Sequence, residues 1–577
     1  MILQALVAHY EDLARRGEVA RPGWGPAKVS FALRISDAGA LLQVLPLKTE
    51  QTQGKKTVLA PQVLQVPMPA KRTVAVVPNF LCDNGGYVLG IDAKGKPQRT
   101  RQCFEACRDL HLELLAGIDV PPARALCAFF STWDPADADS HPALQECLEE
   151  IKAGVNLVFW YGDGYIHDDP AVRAAWQAHY DSAGEGPELA CLVTGRRGPA
   201  AILHPALKGV RGAQATGASL VSFNAASLES YGHSQGLNAP VSEYAAFAYG
   251  AALNHLLADR EHTQMIGDTT VVFWAEGGEP AYQGLASLAI FGGAEEADFG
   301  DKELKSTLSA LAAGRSVSYQ DVSLDPKTHF YVLGLAPNAA RVSVRFFLRD
   351  TFGSIMEHML AHHDRLEIVR PSFDKRESLS LWQLLSETVN QKATDKTPSP
   401  DMAGEVLRSV LTGGRYPATL LNAAMLRIRA EHEVTRGRAA IIKAYYLRNE
   451  DPECPKEVLT VGLNEESRNI PYTLGRLFSV LEAVQLSANP GINATIKDKY
   501  FNSAASIPAT IFPLLMNLAQ KHLRKLDPGM RVYYEKQIGP LTDLLGERYP
   551  TRLSLPEQGS FQLGYYQQTQ ARYAGKK

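Results

Sequence analysis

The pentapeptide GHSQG at residues 232–236 has the G-x-S-x-G pattern that presents the attacking serine of α/β-hydrolases. In those enzymes a buried strand runs directly into the serine and a helix begins at it. Here the nearest strand-like run ends about ten residues before Ser234, and Pro240 would interrupt the required helix. The flanks therefore argue against a nucleophile at Ser234, and a serine hydrolase stays only as a remote alternative.

Three other short patterns suggest chemistry but are incomplete. The stretch GKKT at residues 54–57 resembles the end of a phosphate-binding loop, but it lacks the earlier glycine and the hydroxyl residue directly after the lysine. His and Asp are adjacent at residues 167–169 and 362–364, as in some metal-dependent hydrolases. Solvated or hydrogen-bonded histidines explain such pairs more simply. We expect no enzyme, no catalytic residue, no metal and no cofactor.

The cysteines and the apolar runs bear on the compartment. The chain of 577 residues has seven scattered cysteines, and no second pair completes a zinc set around Cys103 and Cys107. An odd, scattered set favours reduced thiols in the cytoplasm. The longest apolar runs are too short to span a bilayer, and the N-terminus lacks the pattern of a secretory signal. We therefore expect a cytoplasmic protein with no membrane partner.

Basic side chains are concentrated in two regions of a chain whose net charge is −3. Residues 54–101 carry eight Lys or Arg against two Asp, and residues 401–577 carry 23 Lys or Arg against 17 Asp or Glu. Such asymmetry is typical of a protein with one face toward a polyanion, although an ordinary solvated surface explains it equally well.

Polar loops beside strands supply candidate nucleic-acid contacts. Glycines let a backbone approach a ligand closely, and amide or hydroxyl side chains can bond to bases. Turn chemistry is the competing explanation, because turns favour Asn and Gly. The candidates are Lys71, Arg72, Asn79 and Asn84 around one loop, Lys208, Arg211, Gln214 and Thr216 in a glycine-rich loop, and Lys521, Arg524 and Lys525 at the end of a helix.

The hydrophobic patterns predict an α+β fold. Residues 29–100 are strand-rich, with strands expected in VSFALRI, ALLQVLPL, VLAPQVLQVP and TVAVVPNFL. Residues 102–190 are expected to be mostly helical, and strand signals return afterwards. The polar stretch 391–403 predicts a linker. It separates an N-terminal mixed region, 1–390, from a C-terminal helical bundle, 404–577.

Segments spread along the whole chain resemble the large subunit of the subtype I-C CRISPR-associated surveillance complex, Cascade. These segments are MILQALVAHYEDLA, GWGPAKVSFAL, VPNFLCDNGGYVLG, KGVRGAQATGASLVSFN, SYGHSQGLNAPVS, FWAE, NEESRNIPYTLGRLFSVLEAVQ and INATIKDKYFNSAASIPATIFP. Each segment alone is weak, but so many in order make the resemblance specific.

The resemblance implies a non-catalytic DNA- and RNA-binding subunit of an antiviral ribonucleoprotein. Such a subunit reads the protospacer-adjacent motif (PAM) on double-stranded target DNA, aids strand separation and R-loop formation, and recruits the helicase–nuclease. Its other partners are the CRISPR guide RNA, the backbone and handle-binding Cascade subunits, and the small subunit, which the C-terminal bundle resembles. The candidates up to Thr216 are then expected on the PAM side, and those at 521–525 on the displaced strand. A purely architectural subunit that holds guide RNA without reading the PAM is the alternative.

Overall fold

The computed structural model describes residues 1–53, 56–69, 75–93, 95–182, 186–259, 263–292, 301–394 and 396–574. Strands and helices are mixed in the first half of the chain, and helices predominate after residue 352, so the predicted α+β class is confirmed. The chain divides into two compact units. The first comprises residues 1–206 and 221–255, and the second comprises residues 207–220 and 256–577.

In its described residues, the first unit contains seven helices and ten strands. Its helices are α1 (Ile2–Arg15), α2 (Gly85–Val88), α3 (Pro97–Leu114), α4 (Pro121–Thr132), α5 (Leu148–Lys152), α6 (Pro170–Ser182) and α7 (Glu243–Ala258), the last of which runs on into the second unit. Its strands are β1 (Trp24–Val29), β2 (Phe31–Ile35), β3 (Leu41–Pro46), β4 (Lys48–Gln53), β5 (Lys56–Pro67), β6 (Cys82–Asn84), β7 (Asn156–Tyr161), β8 (Gly164–Tyr165), β9 (Glu188–Ala190) and β10 (Arg197–Pro199). Short 3-10 helices lie at Pro135–Ser140, Pro142–Leu144, Ile166–Asp168, Ala226–Leu228 and Gln235–Asn238.

Parallel pairing of β2 with β7 forms the centre of the first unit. The sheet has the order β3-β2-β7-β6, with β8 added against β7, and Phe31 pairs with Leu157. Helix α4 packs beside this sheet, so that Phe129, Phe130 and Phe159 form a buried aromatic cluster. A separate antiparallel sheet has the order β1-β5-β4, and β9 pairs with β10.

The described part of the second unit contains eight strands and most of the helices. Its strands are β11 (Ala206–Leu207), where the chain enters the unit, β12 (Ala218–Ser219), β13 (Thr263–Ile266), β14 (Thr269–Ala275), β15 (Val317–Tyr319), β16 (Val322–Leu324), β17 (His329–Asn338) and β18 (Arg341–Thr351). Its helices are α8 (Pro280–Phe291), α9 (Asp301–Ala312), α10 (Phe352–Leu366), α11 (Leu381–Ser386), α12 (Pro400–Thr412), α13 (Ala418–Glu431), α14 (Arg436–Asn449), α15 (Ile470–Ala488), α16 (Ile496–Ser506), α17 (Pro508–Leu523), α18 (Pro528–Leu544) and α19 (Leu555–Ala574), and a 3-10 helix lies at Lys456–Val458.

One continuous hydrophobic core joins the sheet of the second unit to its helices. The sheet has the order β11-β12-β18-β17-β14-β13. The buried cluster runs from Ile266 on β13 to Tyr566 on α19. The division into compact units therefore does not coincide with the predicted linker at 391–403. Within that stretch α12 already begins, and its Met402 is buried in the shared core, so the polar residues before it form a surface connection.

Helices α15 and α19 approach each other at two glycines. A Cβ atom on Gly475 would collide with the carbonyl oxygen of Phe561, and one on Gly564 would collide with that of Tyr472. Because glycine has no Cβ, the two backbones can lie in direct contact. A buried hydrogen bond also connects the two helices, since Tyr565 Oη of α19 donates to Glu482 Oε2 of α15 at 2.7 Å.

The structure confirms some predicted elements and corrects others. The apolar patterns of residues 470–488 and 507–526 predict helices, and those of residues 269–276 and 340–350 predict strands. Helices α15 and α17 and strands β14 and β18 are present there. The strand expected in TVAVVPNFL is absent from residues 75–81, and only the short β6 follows them. The strand β7 lies inside the region expected to be mostly helical. Its six residues, NLVFWY, are too few for their apolar pattern to distinguish a strand from a helix.

The glycine contact between α15 and α19 predicts a large effect of one methyl group. Gly475→Ala is expected to lower the free energy of unfolding by about 1–3 kcal/mol, because the added atom overpacks the interface. Gly404→Ala in α12 is the matched control. Apart from its chain neighbours and its own helix backbone, nothing lies within 4 Å of the added Cβ, so the better helix propensity of alanine should raise stability by up to about 1 kcal/mol. Urea denaturation measures both changes, and equal stability of the two variants would contradict the close approach.

Candidate nucleic-acid interface

The glycine-rich loop of residues 208–217 connects the edge strand β11 to its neighbour β12. Gly209, Gly212 and Gly217 have φ values of 96°, 81° and 104°, a backbone region that favours glycine. Buried Val210 anchors the middle of the loop, while Ala218 fixes its end. The loop conformation therefore depends on its glycines.

The four candidate side chains of this loop are all exposed. The side chains that face solvent are Lys208, Arg211, Gln214 and Thr216. Val210, which lies between the first two, is buried instead. The backbone N–H of Arg211 donates to Thr270 Oγ1 at 3.2 Å, which ties the loop to strand β14. Two cations, one amide and one hydroxyl thus lie on one braced surface loop. This is the combination that can bond to phosphates and to base edges together.

The hairpin of β17 and β18 adds arginines that the sequence-based candidate set omitted. Ser219 pairs with Arg341, so Arg341 lies where the glycine loop rejoins the sheet. The register shifts between Gly334 and Leu335, which leaves Arg345 as the extra residue of a β-bulge. Arg345 forms ion pairs with Asp268 at 2.9 Å and with Asp401 at 3.7 Å. The alternation of apolar and basic residues in ARVSVRFFLRD was the signal that could have added Arg341.

The second candidate loop lies in the first unit, and hydrogen bonds hold it in place. The carboxylate of buried Asp83 accepts from the N–H groups of Asn79 at 2.9 Å and Asn84 at 2.8 Å. Asn84 Oδ1 in turn accepts from Gly86 N–H at 3.0 Å and caps helix α2. The Asn84 side chain thus bonds to the backbone of its own turn, which is the explanation that the sequence analysis gave as the alternative to a DNA contact. Asn79 is half-buried.

A buried histidine that the sequence did not single out supports the same loop. His111 Nε2 accepts from Leu81 N–H at 2.8 Å, and His111 Nδ1 donates to the carbonyl of Cys107 at 2.7 Å. Leu81 has a positive φ of 62°, so this bond holds an unfavourable backbone conformation. Burial lowers the pKa of His111 to about 4, although the bond to Cys107 opposes the shift. The imidazole is therefore neutral at physiological pH.

Not every candidate can be placed. Lys71 and Arg72 lie outside the described residues. The loops that carry Asn79 and Arg211 belong to different units and are described separately.

The basic candidates of the C-terminal region lie where α17 ends. Lys521, Arg524 and Lys525 are exposed there, and positive charge is favourable at a helix C-terminus. Lys525 Nζ donates to Asn489 Oδ1 at 3.1 Å. The following helix α18 carries Tyr533, which is 46% exposed, and Arg531, which pairs with Glu535 at 2.9 Å. Cations and exposed aromatic rings are the groups that single-strand-binding surfaces use.

The GHSQG segment lacks the geometry of a nucleophile elbow. Ser234 has an extended backbone, with φ −103° and ψ 148°, and precedes the 3-10 helix Gln235–Asn238. No strand is assigned between residues 220 and 239. Backbone geometry explains why both positions of the motif are glycine. Gly232 has a φ of 74°, and a Cβ on Gly236 would lie 2.7 Å from the carbonyl oxygen of Ile202.

The other His–Asp patterns are structural in this fold. Burial lowers the pKa of His167 to about 4, and its ring stacks on Tyr165. His362 Nδ1 shares a 2.6 Å hydrogen bond with Tyr416 Oη. In the described parts of the chain, no three His, Cys, Asp or Glu side chains come together as metal ligands. No described helix is both long and apolar enough to cross a membrane.

Comparison with known proteins gives the class of the chain. A family model described as CRISPR-associated protein (Cas_Csd1) matches residues 6–573. Because this match covers nearly the whole chain, the protein belongs to the Cas_Csd1 family of CRISPR-associated proteins. No curated protein matches the chain.

The neutral buried state of His111 predicts a pH dependence of stability. Since the folded-state pKa is lowered from 6.5 to about 4, the unfolded chain binds the proton more readily between these values. The contribution is complete above pH 6.5 and is lost as the pH falls toward 4. It amounts to about 3 kcal/mol at 1.36 kcal/mol per pKa unit.

Urea denaturation between pH 7.5 and 4 of His111→Gln measures this contribution. The variant should lose stability more gradually with acidification than the wild type, even if it is less stable at pH 7.5. His233→Gln, which changes an exposed histidine, should keep the wild-type slope. An unchanged slope in His111→Gln would show that the imidazole is not the titrating group.

Proposed function

We propose that this CRISPR-associated protein is the non-catalytic large subunit of a subtype I-C Cascade complex. In that role it reads the PAM on double-stranded DNA, aids strand separation and R-loop formation, and recruits the helicase–nuclease in antiviral defence. Its partners are the guide RNA, the target DNA, the backbone and handle-binding subunits, and the small subunit, all in the cytoplasm. The proposal is supported by the family membership and by the exposed, glycine-braced loop of residues 208–217.

The chemistry of this loop fits PAM reading because guide pairing supplies most of the sequence specificity in RNA-guided effectors. The protein then needs only a few base contacts and a few phosphate contacts. Gln214 and Thr216 are suited to base edges, and Lys208 and Arg211 are suited to phosphates. The basic end of α17 is suited to the displaced single strand, where charge and aromatic stacking suffice.

An architectural subunit that holds guide RNA without reading the PAM is the rival proposal. It makes no use of exposed amide and hydroxyl side chains in the glycine loop. It also predicts that complexes lacking this chain still prefer DNA with the correct PAM.

Substitutions in the glycine loop should separate base reading from phosphate binding. Gln214→Ala and Thr216→Ala are expected to reduce the preference for the correct PAM, because each specific base contact is worth about 1–3 kcal/mol. The double variant Lys208→Ala with Arg211→Ala should weaken binding to all duplexes and reduce the salt slope by about 2. Lys327→Ala, another exposed lysine of the second unit, is the control.

Electrophoretic binding of assembled complexes to matched and mutated PAM duplexes measures these effects. A complex without this chain is the reference and should show no PAM preference. If that reference still discriminates, the architectural proposal is correct. If the three loop variants bind as the wild type does, the loop is not the reading element.

A non-catalytic role also predicts that Ser234 does not react with a fluorophosphonate probe. Its extended backbone does not form the strained turn that exposes a nucleophile. A purified serine hydrolase serves as the positive control, and Ser234→Ala as the matched negative control. Labelling of the folded wild type that disappears in Ser234→Ala would establish the hydrolase alternative.

A further inference from the structure

Tyr231 is presented at the tip of a fully exposed loop in the first unit. Residues 224–235 are all exposed, and Tyr231 is 99% exposed, more than any other large apolar side chain in the described residues. A tyrosine ring of this size is normally at least partly covered in a folded chain. This ring therefore contributes nothing to the packing of its own unit.

The loop is nevertheless held in one conformation. Asn238 bridges it from inside: its Oδ1 accepts from Ser230 N–H at 2.8 Å, and its Nδ2 donates to the carbonyls of His233 at 3.0 Å and Gln235 at 2.9 Å. Glu229 Oε1 accepts from Gln235 N–H at 3.2 Å. These bonds brace both sides of the tip at Tyr231, which is the arrangement that lowers the entropic cost of binding a partner.

The backbone at the tip is also held in an unfavourable region. Tyr231 has a φ of 53°, which is uncommon for a residue other than glycine, and Gln235 has a φ of 46°. The base of the loop is seated on the neighbouring segment, where Gly236 N–H donates to the carbonyl of Ile202 at 3.1 Å. Strained backbone of this kind is concentrated at active sites and ligand-binding loops. A hydrogen-bonded loop that keeps such strain and exposes a ring with no packing role is therefore a candidate binding element.

The chemistry around the ring selects among partners. Its neighbours along the loop are mostly hydrogen-bonding residues, among them Ser230, His233 and Gln235, and the one other large apolar side chain of the loop, Leu228, is 36% exposed. An anchor for a protein partner would instead need an apolar surround that excludes water. The only acidic residue of the loop, Glu229, is already engaged by Gln235 N–H. A flat ring among hydrogen-bonding groups fits an unpaired base, whose face stacks and whose edge carries donors and acceptors.

We propose that Tyr231 stacks on an unpaired nucleobase, in either a DNA or an RNA strand. The inference rests on the proposed function, since that function brings both kinds of single strand to this chain. It goes beyond the PAM contacts by assigning a base-stacking site to the segment that contains GHSQG.

The test is binding of the full-length chain to single-stranded oligonucleotides that contain 2-aminopurine, one series of DNA and one of RNA. Tyr231→Ala should weaken binding by about tenfold, equivalent to about 1.4 kcal/mol, and should abolish the quenching that stacking causes. Tyr231→Phe and Tyr231→Trp should retain both affinity and quenching, because they retain the aromatic face. Phe373→Ala removes another exposed ring, 85% exposed, and should have no effect.

The two series identify the strand, since the loss should occur with the DNA probe, the RNA probe or both. Wild-type binding by Tyr231→Ala in both series would overturn the inference. So would a Tyr231→Phe variant as weak as Tyr231→Ala, because the hydroxyl and not the ring would then be the contact. Loss of assembly with other subunits, with normal oligonucleotide binding, would assign the ring to a protein partner.

Comparison with the glycine-loop variants shows whether a negative result concerns only the stacking inference or also the proposed function. If they lose PAM preference while Tyr231→Ala binds oligonucleotides normally, only the stacking inference fails. If neither set of variants changes nucleic-acid binding, the proposed function fails with it.

Discussion

The direct contact between the backbones of α15 and α19 is the constraint on which the second unit depends. It requires glycine at positions 475 and 564, and it places the middle of α19 among fully buried side chains. Polar groups brought into this interface must be satisfied there, and Tyr565 and Glu482 satisfy each other. The core that surrounds the pair continues to the sheet that carries the glycine loop. The loop proposed to contact DNA is thus attached to a well-packed scaffold, as binding loops commonly are.

Much of the fold follows from periodicity where an element is long. The apolar stripe of α15 and the β-branched run of β14 each identify their element without any tertiary information. Short elements behave differently. Strand β7 is defined by its partner β2, which lies far away in the sequence, and no local signal contains that pairing. The polar stretch before α12 was interpreted as a linker because sequence cannot show that Met402 joins a larger core.

Like the fold, the candidate site could be predicted from the sequence only in part. Glycines with neighbouring Lys, Arg, Gln and Thr predicted a loop at 208–217, and the structure has an exposed loop there, whereas its DNA contacts stay a prediction. The role of Asn84 depended on which N–H group lay within reach, and the structure uses its side chain as a helix cap. His111 carried no motif at all, because its function in the loop arises from a bond to Leu81 N–H thirty residues away. In GHSQG the glycines serve backbone geometry, so the resemblance to an elbow is a coincidence of turn chemistry.

The parallel pairing of β2 and β7 has a consequence for the order in which the first unit folds. Joining these strands closes a loop of about 120 residues, and the entropy of that closure is lost before the contacts it permits are formed. Helices such as α3 and α4 can form from local contacts alone, but the sheet cannot form until β7 pairs with β2. Until then the edge of β2 that β7 will cover is open to other strands. The first unit is therefore exposed to mispairing until β7 has formed and paired with β2.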